Sequence, residues 1–145
     1  MDIKYGPYRA KPLGSTEWVY GFYMEVPPPP QPWGPVEEPK CYIILEDPHY
    51  LPDWNLPWKM VQREVDRKTV CRFAGRTDVN GTPIYERDYI LGNGYGPYPV
   101  FWDDDFTGFC SRCYSDAEPI GKYKTIQVVG NEIDDPDMLK EEEED

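Results

Sequence analysis

The chain has 145 residues, of which 39% are hydrophobic, and its 15 basic against 27 acidic side chains leave a net charge of −12. That length suits one domain or two small lobes sharing a core, and the apolar content rules out a chain disordered throughout. No run approaches the ~18 apolar residues that cross a bilayer as a helix, and an acidic field of this size repels phosphate backbones. Membrane spanning and ordinary nucleic-acid binding are therefore both disfavoured.

Five Trp, twelve Tyr and five Phe, set among 17 Pro and 12 Gly, favour short strands and many turns over helical bundles. Met1 to Gly6 lack the apolar stretch of a signal peptide, so a cytoplasmic location is expected, with Cys41, Cys71, Cys110 and Cys113 as reduced thiols.

The first expected strand covers residues 16–26. There Trp18, Tyr20, Phe22, Met24 and Val26 alternate with Glu17, Val19, Gly21, Tyr23 and Glu25, so one face should be core. Prolines 27–30, 32 and 35 then exclude a central strand and favour polyproline II, which reads as a loop or stiff spacer. Its PxxP spacing fits an aromatic groove, but Glu25, Glu37 and Glu38 stand where such ligands usually carry a basic residue, so the spacer reading is preferred. Residues 41–45 read as a buried strand ended by Glu46-Asp47-Pro48. Residues 49–58, with Tyr50, Trp54 and Trp58 among prolines, read as an irregular aromatic loop, more readily a packing plug than an exposed surface.

Residues 69–73 are β-rich, and Asn80-Gly81 supplies a tight hairpin turn from which residues 83–91 return as a strand. Residues 92–99 read as a flexible glycine-rich loop. Strands at 100–102 and 108–114 flank the Asp103-Asp104-Asp105 turn, and the last strand is expected at 123–129. Gly130-Asn131 should break it, and Asp134-Asp135-Pro136 carries the cap acid and first-turn proline of a short helix. The tail at 141–145 should fray, because its acids oppose the helix dipole and repel one another.

Little of this suggests site chemistry. Cys110-Ser111-Arg112-Cys113 has the spacing of a zinc or redox pair, yet a second CxxC is missing and the pair falls in an expected strand, so the cysteines read as small core residues. His49 is the only histidine and lacks a supporting triad signature. The glycines at 92–96 do not have dinucleotide spacing, and no Walker-type Lys-Ser/Thr pair is present. Arg63, Arg67, Lys68, Arg72 and Arg76 fall close together, but Glu64, Asp66 and Asp78 interleave with them, as on a solvated mixed-charge face. No catalytic, cofactor-binding or metal-binding residue is assigned, and no cofactor is expected.

The block Val65-Asp66-Arg67-Lys68-Thr69-Val70, then Phe73-Ala74-Gly75-Arg76-Thr77-Asp78-Val79-Asn80-Gly81, then Ile84-Tyr85-Glu86-Arg87-Asp88 resembles the YopX family of phage and prophage proteins. Tyr8-Arg9-Ala10 and Trp18-Val19-Tyr20-Gly21 near the start, and residues 128–139 near the end, agree with the family in order. The likeness thus spans nearly the whole chain. Arg87 stands where the family usually has Gly, and the insert at residues 27–35 and the loop around Gly94 are peculiar to this chain. The resemblance implies a mostly β fold with an SH3-like barrel in the C-terminal half, an N-terminal β extension and a short C-terminal helix. Residues 1–64 would form the N-terminal β region with its Pro-rich loop, 65–140 the barrel core and 141–145 the acidic tail. It implies a phage or prophage origin and brings no catalytic residues.

The function expected is that of a phage or prophage accessory protein that binds a host or phage protein through its acidic surface and exposed aromatics. The alternative is an anti-defence inhibitor whose carboxylates, such as Asp103 to Asp105, Asp134, Asp135 and Asp137, imitate DNA. An enzyme ranks third, and exposed edge strands leave homo-oligomerisation open.

Overall fold

The computed structural model describes residues 6–46, 60–113 and 116–138. The chain is mostly β and divides into two compact units, Met1–Cys71 and Arg72–Asp145. No helix among the described residues is long and apolar enough to cross a membrane.

The first unit contains β1 (Tyr8–Ala10), β2 (Val19–Val26), β3 (Lys40–Glu46) and β4 (Met60–Glu64), antiparallel and in the order β4-β3-β2-β1. Its core is Ala10, Cys41, Ile43 and Val65, with Tyr8, Val19, Tyr23, Leu45 and Val70 packed against it. In β2 it is therefore the set containing Val19 and Tyr23 that faces this core, while Phe22 and Val26 are exposed. Gly21 explains the choice. It sits so close to β3 that a Cβ there would run into the carbonyl oxygen of Ile44. Trp18, next to the strand, has the Arg9 guanidinium 4.3 Å and the Lys11 ammonium 5.1 Å from its ring centroid.

Residues 65–70 make a bridge and a tight turn. Val65 pairs with Pro12, and Arg67–Thr69 is a 3₁₀ turn capped by Asp66, whose carboxylate accepts the Lys68 N–H at 3.0 Å. The Thr69 hydroxyl donates to the Asp66 carbonyl at 2.7 Å and accepts the Lys11 N–H at 2.8 Å. The strand expected from residue 69 accordingly starts later, at Cys71.

The second unit is built from β5 (Cys71–Thr77), β6 (Pro83–Tyr85), β7 (Asp88–Gly92), β8 (Tyr95–Asp103), β9 (Gly108–Cys113), β10 (Asp116–Pro119) and β11 (Ile126–Asn131). β5 and β6 pair as a hairpin, and the rest form an antiparallel sheet in the order β10-β9-β8-β7-β11. Ile84, Ile90, Val100, Ile120 and Ile126 are its core, so β6, β7, β8 and β11 share one apolar interior. The sheet is open, and no closed barrel forms among the described residues.

The β5–β6 turn rests on Asp78, which is buried. One carboxylate oxygen accepts the N–H groups of Asn80 at 2.8 Å and Thr82 at 2.9 Å, and the other accepts Val128 of β11 at 3.0 Å. Burial alone would raise this carboxyl, but those N–H donors outweigh it and hold Asp78 below the usual carboxylate range.

The strand expected at residues 83–91 is broken in two. Glu86 and Arg87 form a turn in which Arg87 takes φ +70°, the left-handed region that glycine suits. Three hydrogen bonds pin it: Tyr85 N–H to the Asp88 carboxylate at 2.8 Å, Arg87 N–H to the Val100 carbonyl at 2.8 Å, and Glu132 N–H to the Arg87 carbonyl at 2.8 Å. The glycine-rich stretch from residue 92 is a hairpin instead of a loose loop. Asn93 at φ +52° and Gly94 at φ +87° turn β7 directly into β8, the two positive angles of a type I′ turn. At the far end, Asn131 belongs to β11 and accepts the N–H groups of Ile133 and Asp134; residues 132–134 and 136–137, where the short helix is expected to begin, form turns, and the tail at 141–145 lies outside the described residues.

Two outcomes test these turns. Asp78→Asn would set an amide N–H₂ against at least one buried N–H and should cost about 1–3 kcal/mol at pH 7 by chemical denaturation. Because the folded carboxyl titrates low, the wild-type advantage is present above about pH 4, the unfolded value, and fades as the pH falls toward the folded one. Arg87→Gly should relieve the left-handed strain and raise the unfolding free energy by about 1 kcal/mol.

Candidate protein-binding surface

Two surface features of the second unit carry aromatic side chains at opposite ends of β8. The first is the β8–β9 hairpin tip. β8 and β9 pair with Trp102 opposite Phe109 and Asp103 opposite Gly108, and Asp103 ends the ladder by folding its carboxylate back. One Asp103 oxygen accepts the N–H groups of Asp105 at 2.9 Å and Phe106 at 3.1 Å, an Asx turn that the DDD run makes available. Asp104 accepts the Trp102 indole N–H at 2.8 Å.

Trp102 meets Phe109 edge to face, centroids 5.2 Å apart, and Arg72 lies 5.0 Å from the first ring and 5.5 Å from the second. Arg72 is itself held by Glu86 through two bonds of 2.8 and 3.0 Å. The chain thus secures Trp102 from three sides but leaves Phe106, at the tip, 50% exposed among aspartates. An apolar ring in an acidic surround can anchor a partner by burial while the charges select its electrostatics.

The second feature is a cleft of about 280 Å³ at the other end of β8, lined by Tyr95, Tyr98 and Tyr123 with Asn93, Glu118 and Lys122. Its floor is Gly92. The Tyr123 ring lies flat on that residue, where a Cβ would come within 2.7 Å of three ring carbons, and the Tyr123 hydroxyl shares a 2.7 Å hydrogen bond with the Ser111 hydroxyl. Asn93 shapes the wall. Its side-chain oxygen accepts the N–H groups of Lys124 at 2.8 Å and Thr125 at 3.2 Å. Tyr95 stands open to solvent, 69% exposed. The rim pair Lys122–Glu118, at 3.6 Å with both side chains solvated, is a weak tie.

The other candidates disperse. Cys110 is fully buried in β9, and burial first, then the charges of Asp103 and Glu118, push its thiol up and away from the nucleophilic thiolate. Cys41 and Cys71 are also buried, the first accepting the Tyr23 hydroxyl at 3.2 Å and the second donating to the Thr69 carbonyl at 3.3 Å. Among the described residues no three His, Cys, Asp or Glu side chains converge. His49 and the aromatic segment 49–58 lie outside the described residues. The clustered cations have separate duties: Arg67 pairs with Glu25 at 3.6 Å, Arg72 with Glu86, and Arg76 donates to the Ile120 carbonyl at 2.8 Å.

The glycines of residues 92–99 read as a loop in sequence, and that pattern conceals the tyrosine cleft. Asn93-Gly94 carries the same dipeptide signal as Asn80-Gly81 and would have revealed the hairpin. No family model, curated protein or solved structure matches this chain.

Gly92→Ala should lift the Tyr123 ring off the cleft floor and break its bond to Ser111. The expected loss is about 1–3 kcal/mol in denaturant unfolding, with large shifts of the Tyr123 ring resonances.

Proposed function

We propose that this chain is a YopX-like accessory protein of phage or prophage origin that acts in the host cytoplasm by binding a host or phage protein. The observation that carries the reading is Phe106, held out to solvent at an acidic hairpin tip beside Trp102 and Phe109, which pack on each other. An exposed ring of that size in an acidic surround offers a partner apolar area to bury. The β5–β6 hairpin and the β7–β9 and β11 strands contribute to one small core, and an SH3-like arrangement of these strands belongs to the proposal. Arg87 adopts the left-handed conformation that glycine suits, and a short C-terminal helix belongs to the same proposal.

Imitation of DNA is the weaker reading. Asp103 spends an oxygen on its own turn, Asp104 is bonded to Trp102, and Asp134 and Asp135 bond Asn131, so these carboxylates serve local structure. No catalytic role is part of the proposal.

The test is a pull-down from bacterial lysate with wild-type and Phe106→Ser protein, at low and high salt. A partner that survives high salt and drops at least tenfold with Phe106→Ser supports apolar anchoring. A DNA-binding protein released by salt and indifferent to Phe106 would shift the reading to mimicry. Equal recovery on both baits of only background proteins would refute partner binding through this tip.

A further inference from the structure

We propose that the tyrosine cleft is a docking groove for the proline-rich loop of a second copy of this chain. The inference goes beyond the partner-binding reading and uses a different surface, the end of β8 away from Phe106.

The loop is an unused ligand. Residues 27–39 connect β2 to β3 between the paired Val26 and Lys40, and seven prolines restrict its backbone. Its reversal runs through Gly34 at φ +98°, and its two arms stand apart around a hollow of about 290 Å³. Trp33 is 80% exposed and Val36 96% exposed, so the largest apolar group of the loop is held at the reversal with little cover. A proline-stiffened segment has lost much of its conformational entropy before it binds, and its carbonyls are not consumed by internal hydrogen bonds.

The cleft supplies the complementary half. Tyrosine faces pack against proline rings and the Trp33 indole, while tyrosine hydroxyls and the Asn93 amide can donate to the loop carbonyls. Charge sets the pairing. In a chain of net charge −12, Lys122 lies at the cleft rim and Lys124 follows it on a backbone clamped by Asn93, whereas the loop carries Glu37 and Glu38 on its outgoing arm. The usual arrangement, a basic ligand on an acidic groove, is thereby reversed, and the chain itself holds the acidic proline-rich segment that the lysines call for. Glu118 releases Lys122 at little cost, because their pair is solvated. A loop meeting a cleft is a heterologous contact, so the products are closed pairs or short open chains.

Sedimentation equilibrium of the full chain at about 0.15 M salt, where repulsion between acidic copies is screened, tests the proposal. Wild-type protein should show a mass rising with concentration between roughly 10 μM and 1 mM, the range of a weak interface. Trp33→Ala and Tyr95→Ala remove one half each from exposed positions, and each alone should associate at least tenfold more weakly. Mixed in equal amounts, they should recover part of the association, because the intact loop of one meets the intact cleft of the other. Unchanged unfolding midpoints would verify that both variants fold. Phe106→Ser should associate like wild type, which separates this inference from the partner-binding reading. Monomeric wild-type protein at 1 mM, either single variant associating normally, or a mixture that stays monomeric would overturn it.

Discussion

The carboxylate of Asp78 is the constraint on which the second unit depends. It takes up three backbone N–H groups, two from its own turn and one from Val128. The first two shape the β5–β6 hairpin and the third ties β11 to it, an attachment repeated by the bond from Val79 N–H to the Ile126 carbonyl. With β11 in place, Thr125 and Lys124 meet Asn93 at the β7–β8 turn, and Tyr123 comes down on Gly92. A hairpin turn and a cleft far apart in sequence are thereby joined by side-chain acceptance of backbone donors that burial would otherwise leave costly.

The same economy recurs throughout the chain. Asp66, Asp88, Asp103 and Asn131 each accept N–H groups close by in sequence, so much of the acidic surplus works as turn chemistry. Cations have a parallel use against aromatic faces: Arg9 and Lys11 on Trp18, Arg72 on Trp102 and Phe109, and Arg112 on Phe101. Short strands make small cores, and stacked guanidinium groups cover aromatic surface that hydrocarbon does not reach. Against that pattern, the uncovered rings of Phe22, Trp33, Tyr95 and Phe106 stand out as surface available for contact.

Much of the architecture was legible from local chemistry. Alternation marked β2, a short apolar run marked β3, and Asn80-Gly81 marked the β5–β6 reversal. Even so, alternation could not say which set of β2 faced inward, because Phe22 and Met24 are as apolar as Val19 and Tyr23. The approach of β3 to Gly21 decided it. β10 was missed because Asp116-Ala117-Glu118-Pro119 carries no strand preference and is a strand only through its pairing with β9. The candidate site was half legible: the DDD turn was visible, whereas the exposure of Phe106 and the meeting of three tyrosines were not.

By itself the sequence determined the β class, the acidic surface, the stiff proline loop and most of the turns, since these follow from side-chain shape and charge acting over a few neighbouring residues. Tertiary structure alone decided that residues 83–91 break at Arg87, that Gly92 becomes the floor of a cleft, and which aromatics stay uncovered. Those outcomes depend on partners such as Val100, Glu132 and Tyr123, brought close by strand pairing across dozens of residues, and no local pattern encodes that distance.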